Sequence, residues 1–156
     1  MTQLDIVTFG YGHNRSLTGD LEIPEAHRTP DLTVDLRRLF RDPLRNERLR
    51  ELDGRHPDVI EHVHATPGFS GYIRALYDAL VPLRGYDADR LIVAIGCGGG
   101  RHRAVVAGAD MHQMAVLHRW AGVLINRDIN RPLLPLPAPR WIGRTHAGPA
   151  YIPEGQ

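Results

Sequence analysis

The sequence predicts an α/β fold in which a small, largely parallel sheet is flanked by helices. Strand-like apolar runs alternate along the chain with segments whose apolar residues recur at helical spacing. The most strand-like run, residues 90–97, is apolar almost throughout, as expected for a parallel strand that is buried on both faces. Helices on both faces of the sheet fit this order best. The length of 156 residues suits one domain with a single core.

Four strands are predicted from short apolar or β-branched runs that end at turn residues. The first run, LDIVTFG, is largely apolar and is followed by turn residues. The next run, LTVDLR, alternates aliphatic and polar residues. The predicted strands are residues 4–10, 32–37, 90–97 and 122–128.

Four helices are predicted between and after these strands. The first is amphipathic, opens after Asp42-Pro43 and closes at Asp53-Gly54, and the second begins after Pro57. The third places aromatic and aliphatic side chains at helical spacing, which predicts one buried face. The predicted helices are residues 44–52, 58–65, 68–84 and 101–121.

The composition changes after Asn130. The remaining residues hold six of the twelve prolines and show neither a helical nor a strand period. This is typical of an extended, polyproline-like segment. The predicted organisation is therefore an α/β domain over residues 1–130 and an extended Pro-rich tail over residues 131–156.

The composition also excludes several classes of protein. No apolar run approaches the ~20 residues that span a bilayer, and the first residues lack the pattern of a signal peptide, so we expect a cytoplasmic protein with no membrane contact. A single cysteine excludes an internal disulfide framework and a structural zinc site built of cysteines. The histidine spacing indicates no metal site, and neither a Walker A loop nor a complete dinucleotide fingerprint is present, so we expect no cofactor.

A glycine-rich loop at the end of the third predicted strand is the main candidate site. The stretch GCGGGRHR joins that strand to a helix, so backbone N–H groups and the positive end of the helix dipole point into one concavity. Glycine lets an anion approach the backbone closely. The alternative is a tight turn that serves packing alone. The predicted anion-binding residues are Gly98, Gly99, Gly100, Arg101, His102 and Arg103.

The same loop contains the spacing of cysteine-dependent phosphatases. Cys97 and Arg103 form a C-x5-R pattern, in which a thiolate attacks phosphorus and the arginine binds its oxygens. The residue after the arginine is Ala104, so the hydroxyl that those enzymes usually carry there is missing. A phosphatase is therefore an alternative, and a protein without catalysis, in which Cys97 only fills space, is preferred.

The basic residues raise a second alternative, an RNA-binding adapter module. All 19 are arginine, which suits bidentate phosphate recognition, although a GC-rich genome explains the same bias. Seven of them fall within residues 37–55, interleaved with acidic residues. At helical spacing this segment is either a self-neutralising solvated face or an RNA surface. The net charge of +1 argues against a strongly cationic binder but leaves room for a local patch.

Four stretches resemble the C-terminal domain of the RapZ family, RNase adapter proteins that sense amino-sugar phosphate. The loop stretch VAIGCGGGRHRA resembles the family's V-A-I-G-C-T-G-G-x-H-R-S, and VDLRRLFRDP resembles its F-D-[VS]-R-[FC]-L-x-N-P. TFGYGHN and INRDINR resemble an opening and a late segment of the family. The resemblance covers residues 4–131 and indicates a stand-alone homologue without the family's N-terminal Walker-type domain.

The resemblance implies a binding or sensor domain for a phosphorylated hexosamine, such as glucosamine-6-phosphate or its N-acetyl form, with a regulatory role. It assigns backbone donors to the three loop glycines and phosphate contacts to His102 and Arg103. Asp35 and Arg37 would face the sugar or the phosphate, and strand alternation places both on one face. The alternative for that pair is a structural ion pair. Two hydroxyl positions of the family pattern are Gly98 and Ala104 here, so we expect a sugar preference that differs from the family's.

His13 is a further ligand-binding candidate. It follows the first predicted strand, whose carboxyl end is expected near the glycine loop, where open α/β sheets bind ligands. An RNA or protein partner and a homo-oligomer are left open.

Overall fold

Four parallel strands form one sheet, in which the second strand along the chain lies at one edge, the fourth lies at the other edge, and the third and first lie between them. A computed structural model describes residues 2–16, 29–85 and 89–135 of the chain. The predicted α/β class with a parallel sheet and flanking helices is confirmed. The strands are β1 (Gln3–Gly10), β2 (Leu32–Asp35), β3 (Arg90–Cys97) and β4 (Leu124–Asn126).

The strand register brings the carboxyl ends of β1, β2 and β3 to one edge of the sheet. Gly10 pairs with Cys97, and Asp35 pairs with Gly96. The second strand is two residues shorter than predicted, because the Asp35 carboxylate accepts a hydrogen bond of 2.9 Å from the Arg37 N–H and turns the chain. The polar loops that follow β1, β2 and β3 therefore meet at this edge.

Three α-helices follow the predicted segments closely. They are α1 (Pro57–His64), α2 (Phe69–Leu80) and α3 (Arg103–Leu117), and a single 3-10 turn extends α2 over Val81–Leu83. Proline at the first position of α1 lacks the N–H that would have no intrahelical partner there. The last predicted helix, residues 101–121, is shorter at both ends.

The predicted helix over residues 44–52 is wrong. The chain forms a 3-10 turn over Pro43–Arg45 and then irregular turns. The Asp42 carboxylate accepts from the Leu44 N–H at 3.2 Å, and the Asn46 side chain accepts from the Arg48 N–H at 3.0 Å. Such local side-chain bonds offer the backbone an alternative to the helix. The arginines of this segment are therefore not arranged at helical spacing.

The core lies on one face of the sheet. Side chains of all three α-helices form one apolar cluster with alternate residues of β1 and β3, among them Leu4, Ile6 and Val93. The expectation of helices on both faces is therefore not met within the described residues. The opposite face is also buried at Val7 and Ile92.

The described start of the predicted tail, residues 131–135, has no regular secondary structure. The remainder of the predicted tail, residues 136–156, lies outside the described residues. Among the helices that the structure describes, none is long and apolar enough to cross a bilayer.

Candidate anion-binding cleft

A cleft of about 960 Å³ opens at the carboxyl edge of the sheet. We call it the arginine cleft. It is lined by residues drawn from 11–12, 37–46, 97–103 and 133–135, together with His62 of α1. The loops after β1, β2 and β3 therefore form its walls, in the position where open α/β sheets commonly bind ligands.

Two glycine loops, residues 10–12 after β1 and residues 98–100 after β3, pack backbone against backbone at the base of the cleft. The Gly12 N–H donates a hydrogen bond of 2.9 Å to the carbonyl of Gly98. A Cβ atom on Gly10 would lie 2.5 Å from the carbonyl carbon of Gly99, and one on Gly100 would lie 2.6 Å from the nitrogen of Gly10. Gly100 also has a φ of 70°, which favours glycine. Part of the glycine run thus serves this close packing, as the tight-turn interpretation expected.

Other loop positions are open to a ligand. Gly98 and Gly99 line the cleft, and neither N–H has an acceptor among the described residues. A Cβ atom on Gly98 would meet nothing within 4 Å. Helix α3 starts shortly after, at Arg103, so its positive dipole end lies behind these N–H groups. Free N–H groups before a helix N-terminus form a favourable place for an anion.

A buried carboxylate holds the first glycine loop in place. The Asp128 side chain is fully buried and accepts a hydrogen bond of 2.7 Å from the Gly10 N–H. It also pairs with Arg127, at 2.5 Å, and with Arg131, at 3.0 Å. Sequence reasoning did not single out Asp128, although it belongs to the INRDINR stretch of the family resemblance.

Arg103 is bound to the protein itself. Its side chain is 4% exposed. One terminal nitrogen donates to the carbonyls of Leu36 and Leu39, at 3.0 and 2.9 Å, and the other donates to the Asp42 carboxylate at 2.8 Å. Arg103 therefore holds the 36–42 segment that forms one wall of the cleft. The Nε–H of Arg103 has no partner among the described residues but is buried, so a phosphate contact through the terminal nitrogens would have to share groups that are already engaged.

The two residues before Arg103 also make internal contacts. His102 is buried and its Nε2 lies 2.9 Å from the carbonyl of Leu52, and burial lowers its pKa, which favours the neutral ring. Arg101 donates to the carbonyls of Glu51 and Arg131, both at 3.2 Å. These partners of Arg101 are uncharged, so its positive charge remains available to the cleft that it lines.

Asp35 and Arg37 form an ion pair, the alternative that the sequence left open. The shortest contact is 2.7 Å, and both side chains are well exposed. The hydrogen bond from Arg37 lowers the pKa of Asp35. Arg37 also lies over the ring of Tyr11, 3.8 Å from its centre, and both residues line the cleft. Asp35 is not among the lining residues.

His13 lies in a 3-10 segment, Tyr11–Ser16, that follows β1. It is partly buried, and burial lowers its pKa. It follows the cleft-lining residues Tyr11 and Gly12 along the chain, but it is not among the described residues that line the cleft.

Three arginines that sequence reasoning did not select line the cleft. Arg38, Arg41 and Arg45 are exposed, and their side chains form no ion pair or hydrogen bond with any residue that the structure describes. Asp42 is the only carboxylate among the described lining residues, and it is paired with Arg103. The cleft therefore has a large excess of positive charge. The arginine-rich composition of this segment was the available signal.

Both ends of the C-x5-R pattern lie along the cleft but are almost fully buried. Cys97 is 3% exposed and belongs to the apolar core cluster, and Arg103 is directed to the carbonyls of the 36–42 segment. A reactive thiolate needs an electropositive and partly exposed environment. The geometry thus fits a space-filling role for Cys97.

Comparison with known proteins gives a family match over most of the chain. The model of the RapZ C-terminal domain matches residues 2–130. A nucleotide-binding protein of Rhodospirillum centenum is 38% identical over 122 residues, which are 73% of this chain and 36% of that protein. A nucleotide-binding protein of Frankia casuarinae is 33% identical over 134 residues, 81% of this chain and 41% of that protein.

A third relative, a nucleotide-binding protein of Zymomonas mobilis, is 30% identical over 128 residues, 80% of this chain and 38% of that protein. The chain thus spans well under half the length of these curated relatives. The family match includes the parallel sheet, the glycine loop and the arginine segment that together build the cleft. This chain belongs to the RapZ C-terminal domain family.

Proposed function

We propose that this chain binds a phosphorylated small molecule, an amino-sugar phosphate, in the arginine cleft. The carrying observation is that two glycine N–H groups and three guanidinium groups, none of which has a partner among the described residues, surround one concavity. The Gly98 and Gly99 N–H groups supply donors at the base, and Arg38, Arg41 and Arg45 supply charge along the wall. Phosphate is the anion that such donors suit best.

The local charges support an anionic ligand over a neutral one. Arg101 has only carbonyl partners, and the three wall arginines have no carboxylate partner in the described part of the chain. Clustered like charges in a cleft repel one another, and a bound anion relieves that repulsion. The cleft is thus prepared for a ligand that carries negative charge.

An amino sugar is supported by the family and by the polar groups of the cleft. The relatives carry the name nucleotide-binding proteins, but this chain matches the family's C-terminal domain, so we assign the ligand from its own cleft. Asn46 and Asp42 offer acceptors for hydroxyl or amine groups, and Phe40 and Tyr11 offer apolar faces for a sugar ring. Such a binding site serves a sensor with a regulatory role.

The first experiment measures thermal unfolding with glucosamine-6-phosphate, N-acetylglucosamine-6-phosphate, other hexose phosphates, nucleotides and inorganic phosphate. A ligand at about 100 times its Kd adds roughly 2.7 kcal/mol to folding stability. For a domain of this size that is an upward shift in Tm on the order of 5 °C. We expect this shift with an amino-sugar phosphate.

The matched variants for that experiment are Arg41→Gln and Arg48→Gln. Both arginines are exposed and lie in the same segment, but Arg48 is not among the lining residues. We expect Arg41→Gln to weaken binding by roughly ten-fold, the worth of one charge-assisted hydrogen bond, and Arg48→Gln to leave it unchanged. No shift with any phosphate compound, or equal loss in both variants, would contradict the proposal.

RNA is the second candidate ligand, and the exposure of the wall arginines favours it. Arg38, Arg41 and Arg45 stand at the surface, where a phosphodiester backbone can reach them. Binding through several phosphates weakens steeply as salt rises, whereas binding of one sugar phosphate weakens far less. Titration of a single-stranded oligonucleotide at 50 and 200 mM salt therefore separates the two candidates.

A further inference from the structure

We infer that Leu134, which lies beyond the matched family domain, closes the ligand cleft at the glycine loops and strengthens ligand binding there. The family match ends at residue 130, and the cleft is nevertheless lined by Leu133, Leu134 and Pro135. The site of this chain is therefore completed by residues that lie outside the matched range. The inference rests on the proposed function and adds a positioning residue to it.

The contact of Leu134 with the glycine loops is direct. A Cβ atom on Gly12 would lie 2.1 Å from the Cδ1 atom of Leu134, and one on Gly99 would lie 3.9 Å from the same atom. Gly12 in turn donates its N–H to the Gly98 carbonyl. The leucine side chain thus covers the region where the two loops meet, beside the free N–H groups of Gly98 and Gly99.

Two polar contacts fix the start of this segment. Arg131 pairs with the buried Asp128 carboxylate at 3.0 Å, and the carbonyl of Arg131 accepts a hydrogen bond of 3.2 Å from Arg101. Asp128 also holds the Gly10 N–H. The same residues that shape the glycine loops therefore hold the backbone three residues before Leu134.

An apolar side chain beside an anion site has a definite physical effect. It excludes water from one side of the bound group, and electrostatic attraction and hydrogen bonds become stronger where the local dielectric is lower. The apolar side chain of Leu134 lies at the glycine loops, whereas the charged side chains of Arg38, Arg41 and Arg45 line another part of the cleft. Because Arg101 contacts both the cleft and Arg131, ligand binding and the position of this segment are coupled, and such coupling is reciprocal.

The test combines Leu134→Ala, Gly12→Ala and the double variant in the full chain. Titration calorimetry with glucosamine-6-phosphate and with inorganic phosphate gives the Kd of each variant. We expect Leu134→Ala to raise Kd about four-fold, the equivalent of one buried methylene group. Gly12→Ala displaces the leucine and should raise Kd to a similar extent. In the double variant, the shortened side chain at position 134 removes the closer of the two contacts of the new methyl group, the other being with the Gly98 carbonyl oxygen at 3.2 Å, so the two effects should not fully add.

A second readout does not depend on the ligand. Hydrogen exchange of the Gly98 and Gly99 N–H groups, measured without ligand, should be faster in Leu134→Ala than in the unaltered chain. Leu117→Ala is the control, since Leu117 is 71% exposed at the end of α3 and remote from the cleft residues. Faster exchange at the two glycines without binding of either probe by any form would support the contact and overturn the proposed function alone.

Three results would count against the inference itself. Tighter binding in Leu134→Ala would show that the leucine obstructs the cleft. Unchanged Kd and unchanged exchange would show that the side chain does not cover the glycine loops. Additive effects of the Gly12 and Leu134 substitutions would also count against it, because they would place the two residues in separate contacts.

Discussion

Arg103 shows how one residue can be correctly located in sequence and differently used in the structure. Sequence reasoning placed it at the start of α3, beside the glycine loop, and that placement is confirmed. Its guanidinium, however, is directed to the carbonyls of Leu36 and Leu39 and to Asp42. Those partners lie more than sixty residues earlier in the chain, and no local pattern identifies them. The phosphate contact therefore stays a prediction, and support of the cleft wall is what the contacts show.

The Arg103→Gln variant should lose much of its folding stability. Removal of the guanidinium leaves the buried Leu36 carbonyl, the partly buried Leu39 carbonyl and the Asp42 carboxylate without their donor, so we expect a loss of about 3 kcal/mol. Urea unfolding measures it. Arg37→Gln is the matched control: Arg37 also pairs with an aspartate, but the pair is exposed, so the change should be much smaller. Equal losses in both variants would refute the assigned support role.

Helix α3 owes its close approach to the sheet to a glycine in its middle. A Cβ atom on Gly108 would lie 2.4 Å from the Cγ2 atom of Thr8 and 3.1 Å from the Cδ1 atom of Leu124. Thr8 is fully buried and donates a hydrogen bond of 2.8 Å to the Asn126 side chain, so it cannot easily move. The approach also sets the position of the helix N-terminus behind the glycine loop.

Substitution of Gly108 by alanine should therefore destabilise the protein, although alanine has the higher helix propensity. Alanine is favoured over glycine within a helix by about 0.5–1 kcal/mol, yet the clash with Thr8 should make Gly108→Ala destabilising by about 1–3 kcal/mol. Thermal unfolding of Gly71→Ala supplies the comparison, since Gly71 is exposed on α2 and its Cβ would meet nothing within 4 Å. That variant should be stabilised. An increase in Tm for Gly108→Ala would refute the close packing.

At the scale of elements, the strength of the hydrophobic period decides which strands and helices can be predicted from the sequence. The strands β1 and β3 and the helices α1, α2 and α3 have strong hydrophobic periods, and the sequence located them. The segment 44–52 also has a helical period, but Asp42 and Asn46 bind nearby N–H groups and stop the helix. The consequence reaches the site, because Arg45 of this irregular segment lines the cleft together with Arg38 and Arg41 of the loop that precedes it. Sequence patterns identified the glycine loop of the site but not these side chains.

At the scale of the whole molecule, the cleft is an assembly of segments that are distant in sequence. The loop after β1, the segment after β2, the loop after β3 and residues 133–135 meet because parallel strands end at one edge of the sheet. Buried polar contacts then hold these segments together, through Asp128 at one side and through Arg103 and His102 at the other. Folding and formation of the site are thus closely linked. Because His102 is titratable and makes one of these contacts, the stability of the site depends on pH.

The pH dependence follows from the buried His102. Burial lowers its pKa below the ordinary value of about 6.5, so the folded protein binds this proton less readily than the unfolded chain does. Stability from the neutral ring is therefore complete above pH 6.5 and is lost as pH falls from there toward the folded-state pKa. The depressed pKa of His13 acts in the same direction. The carboxylates of Asp35 and Asp53 titrate only in more acidic solution, since their pKa values are lowered by Arg37 and Arg55.

Urea unfolding between pH 7.5 and 5 should therefore show a steady loss of stability below pH 6.5. His102→Gln preserves a side-chain N–H donor for the Leu52 carbonyl but does not titrate, so its stability should vary less over this range. His112→Gln is the control, since His112 lies on the same helix and makes no hydrogen bond or ion pair with the described residues. Its pH profile should stay closer to that of the unaltered chain than the profile of His102→Gln does. If His102→Gln and the unaltered chain lost stability in parallel, the titrating group would lie elsewhere. The contact between His102 and the Leu52 carbonyl would then not be the cause of the acid sensitivity.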